Sequence, residues 1–505
     1  MALLSGRLRL AELLASLSLA TDVGTGQAMG HGLRTCLLAT ALAREMGCGP
    51  DRVRSVHQVT LLRFLGCTAD APESARGVGG DELSFNSAMS PVLFGDRGTM
   101  LRTYLRTVGA GQSPGRRVRL RAAALLHDVG DLAAHCEVAG MLAHRLGMSE
   151  EVVHALGHAY ERWDGTGSPS RLAGEDVPLE IRISAVARDA DLLIQQGGPV
   201  AELLAKRRGR AYDPRVVDAY GRLAPAHQEA EWDEVMEAEP EPVAYVDELD
   251  RALGVMADFV DLKSHWTRGH SPRVADLVES AARAAGVTEA EGKDLKRAAL
   301  VHDIGRVGVE SGVWDKRGPL STVEWEKVRL HPYLTHRILS RCQVLAPIGD
   351  LASSHHERLD GSGYHRQLSA EHLAIGARLL AASDALIALT SQRPHREALT
   401  LEDAGHVLEE EASAGRLDHH AVACVITAAR GGDQPPRSSN PGGLTDREVE
   451  VLRLLATGHT NRRVGETLFI SPKTVGRHVE NIYAKIGVST RAGAAVYAME
   501  NRFLG

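Results

Sequence analysis

AALVHDIGRVGVESGVWDKRGPL at residues 298–320, LHPYLTHRIL at 330–339, SSHHERLDGSGYH at 353–365 and RLLAASDALIALTSQRPHR at 378–396 decide how this chain reads. They hold His302 beside Asp303, His331 at the head of a segment, the adjacent pair His355 and His356, and Asp384 within an apolar run. An imidazole and a carboxylate side by side can ligate two cations, with the carboxylate oxygens bridging them. Mixed nitrogen and oxygen donors suit Fe or Mn better than the sulfur-rich sets of structural zinc do. Two cations a few ångströms apart can hold a hydroxide and a phosphate in line, the geometry of phosphodiester hydrolysis. Arg306 follows His302 by one helical turn, so it shares that face and is in reach of a bound phosphate.

An isolated His-Asp dipeptide is a weak signal, because most are a surface acid beside an ordinary histidine. Here GHSPRV at 269–274, HHE-x-x-DGSGY at 355–364 and ALTS-x-RP-x-R at 388–396 accompany it. Together these segments resemble the HD-GYP family, a branch of the HD metal phosphohydrolases, over about residues 255 to 430. The resemblance implies an all-helical fold, a two- or three-metal site and hydrolysis of cyclic di-GMP. Carried over by position, it implies His270, His302, Asp303, His331, His355, His356 and Asp384 as metal ligands. Arg393 matches a family arginine that holds substrate phosphate, and Asp360, Gly361, Gly363 and Tyr364 fall in the substrate loop. Arg306 stands where the family usually has lysine; it keeps the charge and adds a planar fork. Three positions depart from the pattern. His365 replaces the proline of the GYP signature. Trp266 occupies the place of a glutamate ligand, which favours two metals over three. Ile387 replaces a second aspartate. The ligand set is intact, and the pattern breaks in the substrate loop.

The 505 residues are too many for one core and suggest three or so domains. Ala, Leu, Arg and Glu dominate, which favours helix. The net charge of -7 excludes a chain that binds polyanions over its whole surface, but residues 443–505 carry nine Lys/Arg against six Asp/Glu. Cys36, Cys48, Cys67, Cys136, Cys342 and Cys424 are scattered without a CxxC, the usage of a reducing cytoplasm. No apolar run is long enough for a membrane span. Arg7, Arg9 and Glu12 interrupt the apolar N-terminus, so an amphipathic helix is expected there rather than a secretion signal. The expected location is cytoplasmic.

The first half repeats the second. MGHGLR around His31 echoes RGHSPR around His270, HCEVAGMLAHRLG from His135 echoes HPYLTHRILSR from His331, and YERWDGTGSP at 160–169 echoes HERLDGSGYH at 356–365. His135 to Asp164 spans the same 29 residues as His331 to Asp360. Such symmetry indicates a duplicated helical domain. In the first copy the His-Asp pair becomes Arg63-Phe64, His355-His356 becomes Ala159-Tyr160, and Asp384 falls on Arg188. His31 and His135 alone cannot hold two metals. LLHDVGD at 125–131 contains another pair, His127-Asp128, but only eight residues before His135. It reads as an incidental helix pair, the other reading being a second working site re-registered by the insertion. The copies are joined by an acidic stretch with two prolines, and ARGGDQPPRSSNPGG at 429–443 is a flexible tether.

After that tether, Thr445 and Glu448 form a capping box, and Val449, Leu452, Leu455 and Ala456 give one apolar face. A short helix from Asn461 to Leu468 follows. Ser471 with Pro472 starts a third helix that turns Lys473, Thr474, Arg477 and His478 outward. This is a helix-turn-helix whose basic helix fits a major groove. The pattern LT-x-RE-x-EVL, SP-x-TV-x-x-H and K-x-GV-x-x-R resembles the LuxR-type DNA-binding domain over about 60 residues. That resemblance implies duplex DNA as partner and binding as a dimer. Lys485 and Arg491 are expected at phosphates. Gly476 and Glu480 replace two positions that often touch DNA, so the target sequence cannot be borrowed.

The expected architecture is all-α. It comprises a degenerate HD-type domain at 1–225 with a loop insertion near 68–120, an acidic linker at 226–250, an HD-GYP-type domain at 251–430, a flexible linker at 431–442 and a four-helix LuxR-type module at 443–505. The expected function is a homodimeric DNA-binding regulator whose HD-GYP unit hydrolyses cyclic di-GMP or another phosphorylated nucleotide with a divalent pair, Fe or Mn. The rival is a transcription factor that senses a nucleotide or metal without turnover. The intact ligand set favours chemistry; His365, Ile387 and the fusion to a DNA-binding module favour sensing.

Overall fold

Helix signals written into the sequence place most of the elements. In the computed structural model, Thr288 accepts from the Glu291 backbone and starts Glu289–Val301, and Thr400 does the same through Asp403 for Leu401–Ser413. Ser321 and Glu324 form a capping box at Thr322–Arg329. Such caps each contribute about 1 kcal/mol. The structure describes residues 6–90, 92, 97–126, 131–223, 232–431 and 440–504, and among them the secondary structure is helical, with isolated bridges and no strand. No described helix is long and apolar enough to cross a membrane. The chain divides into two compact units, one centred on Arg7–Glu248 and the other on Leu249–Val309 with Val313 onward.

The unit from Leu249 packs His270–Ala284 against Glu289–Val301, with Ile375–Leu389 and His419–Arg430 beside them. Val274, Val278 and Ala281 recur at three- and four-residue spacing and are fully buried, as are Phe259, Ala298, Leu379 and Val425. Each large apolar side chain removed from water here stabilises the unit by about 2 kcal/mol. The same unit contains the terminal module. Its helices are Asp446–Ala456, Asn461–Leu468, Pro472–Ile486 and Arg491–Glu500, around Val451, Leu452, Leu455, Val464, Val475, Ile482 and Val496.

The unit from Arg7 repeats the core of that arrangement, with His31–Glu45 packed against Pro50–Leu62 and Leu179–Gln195 beside both. Two expectations fail in it. The insertion is not a loop. Ala71–Val78, Glu82–Met89, Arg97–Thr107 and Pro114–Leu126 are helices, and Val78, Phe85 and Val108 form a small core. The Gly-rich stretches only punctuate them, with Gly79 and Gly109 at φ 104° and 70°. Nor is the acidic segment a solvated linker. Within it Trp232–Ala238 is a helix that buries Val235 and Met236, and Arg9 pairs with Glu239 at 2.9 Å while Arg44 donates to the Ala238 carbonyl. Its acids mask apolar residues at helical spacing. Most of the tether before the terminal module lies outside the described residues, as do His127 and Asp128.

Candidate metal centre and DNA-binding module

Most candidate donors of the second copy stand at helix ends. His302 closes Glu289–Val301, His331 opens His331–Leu339, His355 follows Ala346–Ala352, and His270 opens its helix after Gly269 at φ 73°. Asp384 is the tenth residue of Ile375–Leu389. Three imidazoles are aimed in the same way. Nδ1 of His302, His331 and His355 donates to the carbonyl three residues earlier, at 2.7, 2.6 and 2.7 Å. That bond orients each ring and turns its Nε2 inward.

The Nε2 atoms converge on two carboxylates. Asp303 Oδ1 lies 3.4 Å from His331 and 3.5 Å from His355, and its Oδ2 lies 3.4 Å from His302. Asp384 Oδ1 lies 3.0 Å from His270 and 3.6 Å from His302. Two groups result, His331/His355/His356 and His270/His302/Asp384, each with ligand atoms within 4.8 Å of one another. They share no residue, and the group His302/Asp303/His355 spans them. His302 Nε2 is buried without a hydrogen-bond partner among the described residues. An orphaned imidazole nitrogen among carboxylates, all dry, is what a divalent pair would satisfy.

Charge agrees with this. Burial holds the His270 and His331 imidazoles down to about 4 and about 3, so both are neutral donors. Burial would lower His302 as well, but Asp303 and Asp384 outweigh it and lift it to about 9. A proton on His302 is thus the counter-charge that a cation would displace. Burial opposes ionisation of Asp303, yet Arg306 and His302 hold its carboxyl well below the usual range.

Arg306 Nη1 sits 2.7 Å from Asp303 Oδ2, and its guanidinium lies over the Trp314 ring at 4.0 Å. Arg393 donates to the Trp266 carbonyl at 3.0 Å. Burial, then repulsion from Arg306, pushes Arg393 down to about 10, so two guanidinium groups face the same region. Tyr364 packs 4.7 Å from His356. The rest of the loop folds on itself. Asp360 is exposed and accepts from the Ser362 backbone and hydroxyl at 3.0 and 2.6 Å, and Gly361 takes φ 77°. A Cβ at Gly363 would meet the Arg358 nitrogen at 2.5 Å. Those three residues shape the loop that presents Tyr364.

Sequence reading missed four positioning residues. Trp314 carries Arg306. Thr335 accepts from Gly305 and donates to the His302 carbonyl, both at 3.0 Å. Glu357 accepts the Arg366 and Leu368 backbones at 2.7 and 2.8 Å. Asp261 accepts both groups of Ser271 at the head of the His270 helix. Only Glu357 had a visible signal, as the acid of HHE.

The first copy keeps this scaffold without the donors. A Cβ on Gly66 would meet the His135 carbonyl at 2.0 Å, just as one on Gly305 would meet that of His331 at 2.1 Å, which fixes the equivalence. His31 Nδ1 is held by Asp191 at 2.6 Å, and His135 by Asp70 at 2.5 Å. No group of three metal-type donors forms there among the described residues.

In the terminal module Lys473, Thr474 and Arg477 are exposed on Pro472–Ile486, and His478 is half-buried. Lys485 and Arg491 are engaged inside the module. Lys485 lies 2.7 Å from Glu448 and 3.1 Å from the Gly443 carbonyl, and Arg491 donates to the His459 carbonyl at 2.5 Å and to Asn461 at 3.1 Å. The module also touches the second copy, where Arg268 donates to the Ala456 carbonyl and Asp276 pairs with Arg502 at 2.8 Å.

Comparison with known proteins agrees with this anatomy. The HD domain family matches residues 131–216 and 254–421, and the family of bacterial regulatory proteins of luxR type matches 443–498. The 3'3'-cGAMP-specific phosphodiesterase 3 of Vibrio cholerae is 29% identical over 426 residues, covering 79% of this chain and 90% of that protein. A crystal structure of a cyclic GMP-AMP-specific phosphodiesterase from V. cholerae superposes with a TM-score of 0.58 at 25% identity, over 85% of this chain and 99% of that one. The transcriptional regulatory protein LiaR of Bacillus subtilis is 52% identical over 61 residues, which is 12% of this chain and 29% of LiaR.

Proposed function

We propose that this chain, which belongs to the HD-domain family and carries a LuxR-type module, is a DNA-binding regulator whose second copy hydrolyses a cyclic dinucleotide with a divalent metal pair. The carrying observation is the convergence of His270, His302, His331, His355, His356 and Asp384 around Asp303. The substrate class is supported by the similarity to a 3'3'-cGAMP-specific enzyme over most of the chain.

His270, His302 and Asp384 would hold one ion, His331, His355 and His356 the other, with Asp303 shared. Nitrogen and carboxylate donors without sulfur favour Fe or Mn. The pair, when bound, supplies a hydroxide at neutral pH and neutralises charge on the attacked phosphate. Arg306 and Arg393 would clamp the phosphate, each as a planar donor fork. Trp314 keeps the Arg306 fork from swinging into solvent. Tyr364 offers a ring beside His356 against which a base can stack. Lys473, Thr474, Arg477 and His478 face the DNA of a homodimer, and the Arg268 and Asp276 contacts give the catalytic unit a hold on the module.

The test is metal analysis of anaerobically purified protein with turnover of cyclic di-GMP and 3'3'-cGAMP on the same sample. Two Fe or Mn ions per chain with linear products supports the reading. Absence of metal and of turnover refutes it. A second reading, nucleotide sensing without hydrolysis, is favoured by His365 in the substrate loop and predicts that bound nucleotide is recovered intact.

A further inference from the structure

The first copy puts guanidinium groups where the second has metal donors. Arg63 ends its helix as His302 ends the matching one, and Arg188 is the tenth residue of its helix, as Asp384 is of its own. They are only 5% and 9% exposed. Arg63 donates Nη1 to the Ser184 hydroxyl at 2.6 Å, while its Nε is buried without a hydrogen-bond partner among the described residues. No described carboxylate pairs with it. Arg188 donates Nη2 to the Ser90 carbonyl at 3.1 Å and pairs with Asp189 at 2.8 Å, and its Nε is likewise orphaned. Burial, then repulsion from Arg188, holds Arg63 down to about 10. A dry guanidinium without a counter-charge is strongly unfavourable, and two facing one another are worse.

Both line one small cleft of about 110 Å³, partly open to solvent, together with Arg162, Arg207, Tyr160 and Tyr212. The carboxylates on this wall are Asp189 and Glu161. Asp189 is taken up by Arg188 and by the Tyr212 hydroxyl at 2.6 Å, and Glu161 accepts the Ser170 backbone at 2.6 Å. Arg188 is matched by Asp189 and Arg162 by Asp164 at 3.1 Å, which leaves Arg63 as the buried guanidinium of the cleft with no described carboxylate paired to it.

We infer that this cleft binds a phosphate ester, gripped by Arg63 and Arg188 in place of a metal pair and released unhydrolysed. Two forks suit the planar, bidentate recognition of phosphate oxygens. The tyrosine rings offer flat walls for a base. Among the described residues the first copy forms no group of three metal-type donors, so the cleft is assigned to reading a ligand without consuming it. The inference stands whether or not the second copy turns over.

The test uses the full chain carrying Asp303→Asn, which disables the second copy, with inorganic phosphate, GMP and cyclic di-GMP as separate probes in equilibrium dialysis. At least one probe should occupy a site that Arg63→Gln with Arg188→Gln removes, and Arg188→Lys should retain it. Because Arg63 is buried, that variant can fail to fold. Arg207→Glu, at a half-buried position of the cleft, supplies the second arm. It should weaken the same probe by about tenfold in protein whose helical circular dichroism is unchanged. Binding of phosphate alone identifies an inorganic-anion site, and binding of GMP or cyclic di-GMP without phosphate identifies a nucleotide site. No binding of any probe at millimolar concentration, or affinity unchanged by Arg207→Glu, overturns the inference.

Discussion

The two copies share a scaffold and differ at its tips. Gly66 and Gly305 press against equivalent carbonyls, His31 and His270 both follow a left-handed glycine, and Glu161 and Glu357 brace equivalent loops. One copy then presents His302, Asp303, His355, His356 and Asp384, and the other Arg63, Phe64, Ala159, Tyr160 and Arg188. The difference teaches that the backbone does not carry the chemistry. A handful of side chains separates a cluster of metal-type donors from a cleft lined by arginines.

The largest expected effect tests that contrast directly. His302→Ala with Asp303→Ala should empty the second copy of metal and lower hydrolysis by about 10³-fold or more, because the shared ligand is lost. Full metal content in that variant would break the comparison. Next, Arg306→Ala should lower turnover by about 10²-fold with metal content unchanged, as expected of a clamp on transition-state charge. Arg306→Lys should cost about tenfold or less. Equal metal loss in either would make Arg306 a brace for Asp303 instead.

The terminal module repeats the distinction between acting and bracing tips. Arg477→Ala should reduce discrimination among DNA sequences by about 1–3 kcal/mol per contacted base pair, read from binding to a sequence panel. Lys485→Ala should instead lower the melting temperature of the module, since Lys485 holds Glu448. Identical behaviour of the two across the panel would erase the division.

A smaller effect follows from His302. Its pKa, lifted to about 9, means that it carries a proton at pH 7 to 8 in the metal-free protein. Metal uptake should therefore release a proton, strengthen as pH rises and lose that dependence above about pH 9. Calorimetry in buffers of different ionisation enthalpy reads the released proton. The smallest expected effect is none at all. Arg63→His with Arg188→Asp should add no metal to the first copy, because Phe64, Ala159 and Tyr160 still supply no donors. His127→Ala with Asp128→Ala should leave metal content unchanged too. A gain in the first variant or a loss in the second, by elemental analysis, would show that the copies are closer than their tips suggest.

The sequence was legible where spacing and caps carry information. The decay of the first copy and the helices of the terminal module follow from local pattern, and the ligand candidates from motifs that resemble a known family. It was misleading where composition stands in for structure. Gly and Ser in 68–120 mark breaks between short helices, and the acids of 232–238 lie on a helix whose Val235 and Met236 are buried. It was silent where partners are distant. Nothing local shows that Trp314 underlies Arg306, that Thr335 holds the His302 carbonyl, or that Lys485 belongs to Glu448.

The bonds from Nδ1 of His302, His331 and His355 to carbonyls three residues behind them have one more consequence. Each imidazole is oriented in part from within its own turn of chain. Donors built this way are modular: one can be exchanged without disturbing the aim of the next or the helix that bears it. A duplicated copy could therefore lose them singly and keep its fold at each step.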